Sequence, residues 1–341
     1  MLSVRRSLPI PLVGILALTL LGAVPASSRA QTTSSKAPSS TKAPSRTSLA
    51  RAAAAARARR AAEARRQQEA LLSPRFKLDL EGNTVPDIRA AAAIIYNPQS
   101  GEVLWEANSH AQRSIASLTK IMTAVTFMAD SPNLDQPVKV TLADTQRASV
   151  THLRSGDIVT NRDLLHLTLI ASDNAAARAL ARTSEGGMGA FIGRMNEMAK
   201  ALGLTNTQYA DPSGLDARNV STAYDISHLI AFATADDRVG PIMREAEYVV
   251  RTSRRQFTVR STNRLLGTDL DVRGGKTGFI QKAGYCLATL LQVPQGSQVA
   301  VVVLGAANSA LRFAEARNLL NWVAGKTLIA NGTPAATPED D

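Results

Sequence analysis

The chain predicts an α+β fold: an antiparallel sheet flanked by N-terminal, C-terminal and central helices, plus a helical subdomain. Three observations carry this expectation. Strand-like segments open the compact region (residues 91–107) and return at its end (271–305), while apolar residues between them recur at helical spacing. An amphipathic stretch, 310–323, follows the last strand. Strands gathered at the two ends around a helical middle argue for an antiparallel sheet with segregated helices. There is no internal repeat.

Residues 1–30 read as a secretory signal peptide. Arg5 and Arg6 precede an apolar run from Leu8 to Val24, and Ser28-Arg29-Ala30 offers small residues for cleavage, with Val24-Pro25-Ala26 as the alternative. Left uncleaved, the same run would be a membrane anchor. Residues 31–75 combine a Ser/Thr/Pro/Lys tether with "LARAAAAARARRAAEARRQQEALL" (49–72), which is rich in helix formers. Its arginines leave no wide apolar stripe, so it reads as a solvated spacer or as a basic helix touching anionic lipid, cell-wall polymer or a partner. Residues 76–330 are the expected folded domain, and 331–341 a disordered tail.

Within that domain, Ala91–Tyr96 and Glu102–Ala107 flank Asn97-Pro98-Gln99-Ser100-Gly101 as a hairpin. A helix is expected over Ser117–Ala129, since Leu118, Ile121, Met122 and Val125 share a face. Thr160-Asn161-Arg162-Asp163 has capping-box form, with Asp standing in for Glu, ahead of "LLHLTLIA". Further helices are expected near 174–182 and 188–201, and from Ser221-Thr222-Ala223-Tyr224-Asp225 onward. Strand-like pieces follow at 248–252, 256–260, 271–278, 284–293 and 298–305.

The formal charge of +11 suggests nucleic acid until it is located. Residues 1–75 hold thirteen Lys or Arg against two acids, so the whole excess lies there and residues 76–341 are balanced. That argues against a nucleic-acid partner. The lone cysteine, Cys286, gives no disulfide framework and reads as a small buried hydrophobe. His110, His152, His166 and His228 lack zinc-ligand spacing, and His166 reads as a packing residue. No metal or cofactor is implied.

The chemistry starts at "SIASLTKIMTAV". Ser117 and Lys120 are one helical turn apart, so the amine can reach the hydroxyl. A serine needs a base to become nucleophilic, and a lysine serves only if desolvation or a second cation lowers its pKa. Alone, S-x-x-K is weak. Ser172-Asp173-Asn174 alone is an ordinary helix cap. Lys276-Thr277-Gly278, after Gly274-Gly275, alone is a strand end on which glycine would let a ligand backbone approach. In this order and spacing the three motifs are the signature of penicillin-binding proteins and class A β-lactamases.

With these residues and with "AAIIYNPQSGEVLWEAN", "ALGLTNTQYADPSGLDARNVSTAYDISHL" and "GGKTGFIQKAGYCL", the chain resembles the low-molecular-mass penicillin-binding proteins over nearly all of residues 85–325. These are serine D-alanyl-D-alanine peptidases with a serine β-lactamase/transpeptidase-like fold. Their carboxypeptidase branch usually carries S-G-N in the middle motif, and the endopeptidase branch S-D-N. The motif here, with the short stretch after the closing helix, points to the endopeptidase.

The resemblance implies an acyl-enzyme on Ser117 with Lys120 as base. Ser172 would relay a proton to the leaving amine, Asn174 would bond the substrate backbone, and Asp173 would hold the loop. Lys276 would set the field, Thr277 would bind a carboxylate, and Gly278 would permit close approach. The N–H groups of Ser117 and Phe279 would form the oxyanion hole. The implied partners are peptidoglycan stem peptides and cross-links, with β-lactams as covalent inhibitors. The implied location is the periplasm, soluble or loosely membrane-associated. A carboxypeptidase, a β-lactamase and a non-catalytic wall-binding module are the rivals. For the β-lactamase, Glu185, Glu197, Glu245 and Glu247 all lack the E-x-x-L-N context of a water-activating glutamate.

Overall fold

A computed structural model describes residues 46–294 and 296–330. The expected signal peptide, most of the tether and the expected 331–341 tail lie outside the described residues. Two units separate after Ala58. Of the first, only the opening of helix α1 (Arg46–Leu72) is described, with residues 50–58 exposed. The elements described next belong to the second unit.

The chain enters through a small hairpin of β1 (Phe76–Leu78) and β2 (Thr84–Pro86). The larger hairpin of β3 (Ala92–Asn97) and β4 (Glu102–Ala107) follows. Its turn is closed by Gly101 N donating to Asn97 O at 2.9 Å, with Gly101 at φ +77°. Next come β5 (Arg113–Ser114), a 3-10 turn over Ala116–Leu118 and α2 (Thr119–Ala129). The helical half continues with β6 (Pro137–Lys139), α3 (Leu142–Thr145), β7 (Ile158–Thr160), α4 (Asn161–Leu169), α5 (Asn174–Thr183) and α6 (Gly187–Ala201). β8 (Val220–Ser221), α7 (Ala223–Ala235), β9 (Glu247–Arg251) and β10 (Gln256–Arg260) lead to three long strands, β11 (Asp271–Ile280), β12 (Gly284–Gln292) and β13 (Gln298–Ala306). Helix α8 (Ser309–Ala330) follows.

The main sheet has the order β11-β12-β13-β3-β4, antiparallel throughout, so the opening hairpin and closing strands meet in one layer. Period-2 alternation divides its side chains between two cores. Ile94, Val302, Ala288 and Leu290 face the central helices, α2 and α7 among them. Ile95, Val301, Val303 and Leu287 face α8. The valine, leucine and isoleucine positions among them contribute roughly 1.5–3 kcal/mol each when fully buried.

The capping box at Thr160 forms as the sequence predicts: Thr160 Oγ1 accepts from Asp163 N at 3.1 Å, and Asp163 reaches back to Thr160. Two helix boundaries differ in ways that matter here. The helix expected from Ser117 begins at Thr119, because Ala116 at φ +49° bends the chain and a tighter turn precedes the helix. The closing helix runs on past Val323 to Ala330, through a segment without proline.

Candidate active site

Ser117 lies on the 3-10 turn between the main sheet and α2. The turn is held by Thr119 Oγ1 donating to Ala116 O at 2.8 Å. It is also pressed from outside, because a Cβ on Gly214 would sit 2.1 Å from Ala116 O. Only glycine, here at φ +82°, fits beneath it. The bend aims the serine into a cleft of about 440 Å³ lined by Ser117, Ser172, Asn174, Thr277, Phe279 and Arg312, among others.

Lys120, on the first turn of α2, is fully buried beneath that cleft. Its Nζ donates to Ser117 Oγ at 3.0 Å, to Asn174 Oδ1 at 2.5 Å and to the Ser213 carbonyl. All three acceptors are neutral. Burial therefore dominates and brings the amine down to about 7; the Asp211 and Asp173 charges oppose this, and Arg178 adds to it. Arg178 is a cation acting on Lys120 that the sequence did not single out, and Lys120 and Lys276, both buried, also repel one another.

Ser172 is at φ +58°, a left-handed conformation that costs a non-glycine residue. Its hydroxyl accepts from Lys276 Nζ at 2.7 Å. Lys276 is 1 % exposed, also donates to Thr277 O at 2.9 Å, and is held well below its ordinary value by burial and then by Lys120 and Arg312. Thr277 Oγ1 donates to Thr262 Oγ1 at 2.7 Å. Phe279 follows at the cleft rim, about half exposed and stacked on Tyr285 with ring centroids 4.2 Å apart.

All the residues singled out from the sequence thus converge, but two readings change. Both ends of the Asn174 amide are engaged internally, since Nδ2 donates to Ala148 O at 2.6 Å while Oδ1 holds Lys120. It positions the lysine and the neighbouring loop as well as facing the cleft. The glycines around Lys276 are required by the protein's own packing, whatever they allow a ligand to do. A Cβ on Gly274 would meet Thr234 Cγ2 at 2.4 Å, one on Gly275 would meet Asn263 Nδ2 at 2.6 Å, and one on Gly278 would lie 2.9 Å from Ile115 O and 3.1 Å from Ser117 N. Gly278 does permit a close approach, that of the nucleophile's own turn.

Sequence reasoning missed two contributors. Asp211 is a hub whose carboxylate accepts from Ser213 N, Ser213 Oγ, Gly214 N, Asp216 N and Asn219 Nδ2. Burial raises its pKa, but the hydrogen bonds outweigh burial and hold the carboxyl below its usual value. This fixes the loop that supplies the Ser213 carbonyl and Gly214. The signal was present in "ADPSGLDARN" without an assigned role. Arg312 was also missed: a buried guanidinium from α8 that lines the cleft, donates to Gly278 O at 3.2 Å and is brought down to about 10 by burial. As one arginine of an amphipathic helix it carries no local signal.

Residues 80–308 match the family model described as D-alanyl-D-alanine carboxypeptidase, peptidase family S11. Among curated proteins, a D-alanyl-D-alanine endopeptidase of Escherichia coli is 33% identical over 243 residues, 70% of this chain and 78% of that protein. The carboxypeptidase DacC of Escherichia coli is 37% identical over 253 residues, 70% of this chain and 62% of that protein. Among solved structures, the Streptomyces K15 DD-transpeptidase matches with a TM-score of 0.65 at 30% identity, covering 70% of this chain and 98% of that one. A buried lysine beside a serine at the foot of an open cleft, in a chain with these relatives, is a serine-peptidase arrangement, and the chain belongs to the S11 family of D-alanyl-D-alanine peptidases.

Proposed function

We propose that this protein is an exported D-alanyl-D-alanine endopeptidase that cleaves D-alanyl–meso-diaminopimelate cross-links in peptidoglycan. The observation that carries the chemistry is Ser117 Oγ at 3.0 Å from a Lys120 amine brought down to about 7. Such an amine is largely free to take the hydroxyl proton near neutrality. The carbonyl is attacked by Ser117, with its oxygen received by the N–H groups of Ser117 and Phe279. Ser172, bonded to Lys276, passes a proton to the leaving amine, and water then releases the acyl group. Thr277 and Arg312 receive the carboxylate on the carbon that bears the leaving nitrogen. A terminal D-alanine and a cross-linking diaminopimelate both carry that carboxylate, so this anchor serves either reaction.

The middle motif, Ser172-Asp173-Asn174, favours the cross-link. Identity does not separate the branches, at 33% to the endopeptidase and 37% to the carboxypeptidase. Digestion of purified cross-linked muropeptides beside a pentapeptide monomer decides it. Loss of dimers without free D-alanine is expected; D-alanine release from monomers with intact dimers would make it a carboxypeptidase.

Penicillins acylate Ser117 in this reading and remain attached, since among the described residues no glutamate lines the cleft to activate water. Rapid turnover of benzylpenicillin by the purified domain would instead make it a β-lactamase. Among the described residues no helix is long and apolar enough to cross a membrane. The Arg-rich part of α1, exposed over residues 50–66, suits contact with anionic lipid or wall polymer. Salt-sensitive binding of residues 31–75 to anionic vesicles would support the lipid contact, and no binding at low salt would remove it.

A further inference from the structure

Beyond the Asn174 contact to Ala148, the middle motif grips the whole of residues 146–152, a segment to which no role has yet been given. Residues 146–152 form one wall of the cleft, to which Ser149 and Val150 contribute, Val150 being 48% exposed. The segment is held against its own preferences: Arg147 at φ +53° and Ser149 at φ +61° are both left-handed without being glycine. Four hydrogen bonds stitch it to the start of α5. Asn174 N donates to Val150 O at 3.0 Å and Asn174 Nδ2 to Ala148 O at 2.6 Å. His152 N donates to Asp173 Oδ2 at 2.6 Å, and the His152 ring Nδ1 lies 3.3 Å from the same oxygen.

Asp173 is completely buried, and its other oxygen caps α5 by accepting from Ala176 N at 3.0 Å. One carboxylate therefore ties the helix that carries Asn174 to the wall opposite β11. The far side of His152 is held as well: the Arg255 guanidinium donates to its carbonyl, and its ring stacks on Phe257 at 6.1 Å. A glycine at position 173 could supply neither the helix cap nor the two contacts to His152.

We propose that Asp173 and His152 are a positioning pair that fixes the 146–152 wall, so that Val150 meets the substrate at a set distance from Ser117. The pair sets which stem peptides the cleft admits, and it explains in physical terms what aspartate adds to the S-D-N motif. The endopeptidase part of this inference, that the fixed wall admits cross-linked stems, rests on the reading above. The clamp itself does not.

The test uses the purified protein carrying His152→Ala, Asp173→Asn or Val150→Ala, beside wild type. The first two remove contacts to the wall, and Asp173→Asn keeps a side-chain oxygen for the helix cap. Amide exchange in residues 148–152 should speed up by about tenfold in both, as expected for loss of one hydrogen bond to a charged group. KM for the stem peptide that wild type turns over should rise about fivefold to tenfold with kcat within about twofold, the signature of lost positioning. Val150→Ala should raise KM without changing exchange.

If wild type leaves cross-linked dimers intact, the endopeptidase reading fails. The clamp is still judged by exchange and by KM on the monomer. Unchanged exchange and unchanged KM in His152→Ala and Asp173→Asn overturn the proposal. So does a fall in kcat at constant KM, which would put the pair in the chemical step. If His152→Ala fails to fold, His152→Phe, which keeps an aromatic ring against Phe257 but lacks Nδ1, takes its place with the same expected rise in exchange and KM and the same overturning result.

Discussion

The two faces of the main sheet bury polar groups in opposite ways. On the α8 face, Glu315 is 1% exposed but meets opposite charge and a donor: Arg75 Nη2 at 3.2 Å and Arg89 N at 3.1 Å. On the face turned to the central helices, Lys120 and Lys276 are as deeply buried, yet neither forms an ion pair among the described residues. Their acceptors are a serine, an amide and carbonyls. A buried amine with a carboxylate beside it stays charged, whereas one with neutral acceptors gives up part of its hold on the proton. On the α8 face the Glu315 carboxylate helps close the structure, and on the helical face, among the described residues, Lys120 and Lys276 have no carboxylate partner, so that protons can move.

The largest expected effect breaks this contrast at the lysine. Lys120→Met keeps volume and removes the proton acceptor. Acylation by a fluorescent penicillin should fall by at least about 10³-fold, the scale on which losing an activating base acts. The melting temperature should fall only modestly, because losing the buried amine relieves its desolvation while Asn174 Oδ1 and the Ser213 carbonyl lose their donor. Equal losses of rate and stability would mean that Lys120 is a structural cation. Ser117→Ala is the control: labelling disappears and stability is retained.

The converse substitution lies on the other face. Leu319 is fully buried in the core between the sheet and α8. Leu319→Ala should cost about 2–5 kcal/mol of stability through lost burial and a cavity. The acylation rate of the protein that remains folded should not change. A rate loss there would show that the α8 face feeds the site through more than Arg312, whose guanidinium reaches Gly278 O at 3.2 Å.

What the sequence revealed follows the same division. Periodicity located the sheet and most helices, since alternation on β3, β12 and β13 has to satisfy two cores at once. The motifs located Ser117, Lys120, Ser172 and Lys276, whose partners lie at fixed offsets or inside the other motifs. What stayed hidden depends on residues far apart in the chain. Asn174 reads as a substrate ligand until Lys120, 54 positions away, is seen on its oxygen. The glycines of Gly274-Gly275 read as ligand-facing until Thr234 and Asn263 are seen against them. Asp211 and Arg312 act through backbone groups of other segments, which no local pattern encodes.

Gly278→Ala sharpens the contrast at the seam between sheet and turn. The added methyl would lie 2.9 Å from Ile115 O and 3.1 Å from Ser117 N, both backbone atoms, so the turn carrying the nucleophile must shift. Overpacking of this kind costs about 1–3 kcal/mol. Because the shift falls on the Ser117 N–H, the acylation rate should drop by more than stability alone explains, which stopped-flow labelling of fully folded protein would show. Cys286→Ala, one strand over and in the apolar core, should leave the rate unchanged.

The smallest effect per step is in pH, and it separates the two faces without mutation. Lys120 is brought from its usual value near 10.5 to about 7, by burial first. Only the neutral amine takes the serine proton, so penicillin acylation should rise about tenfold per pH unit below 7 and level off above it. Stability has a definite sign as well. Between about pH 7 and the unfolded value of ~10.4, the unfolded chain holds the proton that the folded chain has lost, so stability rises with pH across that window. Below pH 7 both states hold it, and the contribution no longer changes. Lys120→Met should remove the Lys120 share of this rise along with the rate profile, leaving the share of Lys276, whose amine is also held down, and Leu319→Ala should leave both slopes in place. An acylation rate that falls as pH rises toward 7 would mean that Lys120 acts as a fixed cation, and the base would have to be sought elsewhere in the cleft.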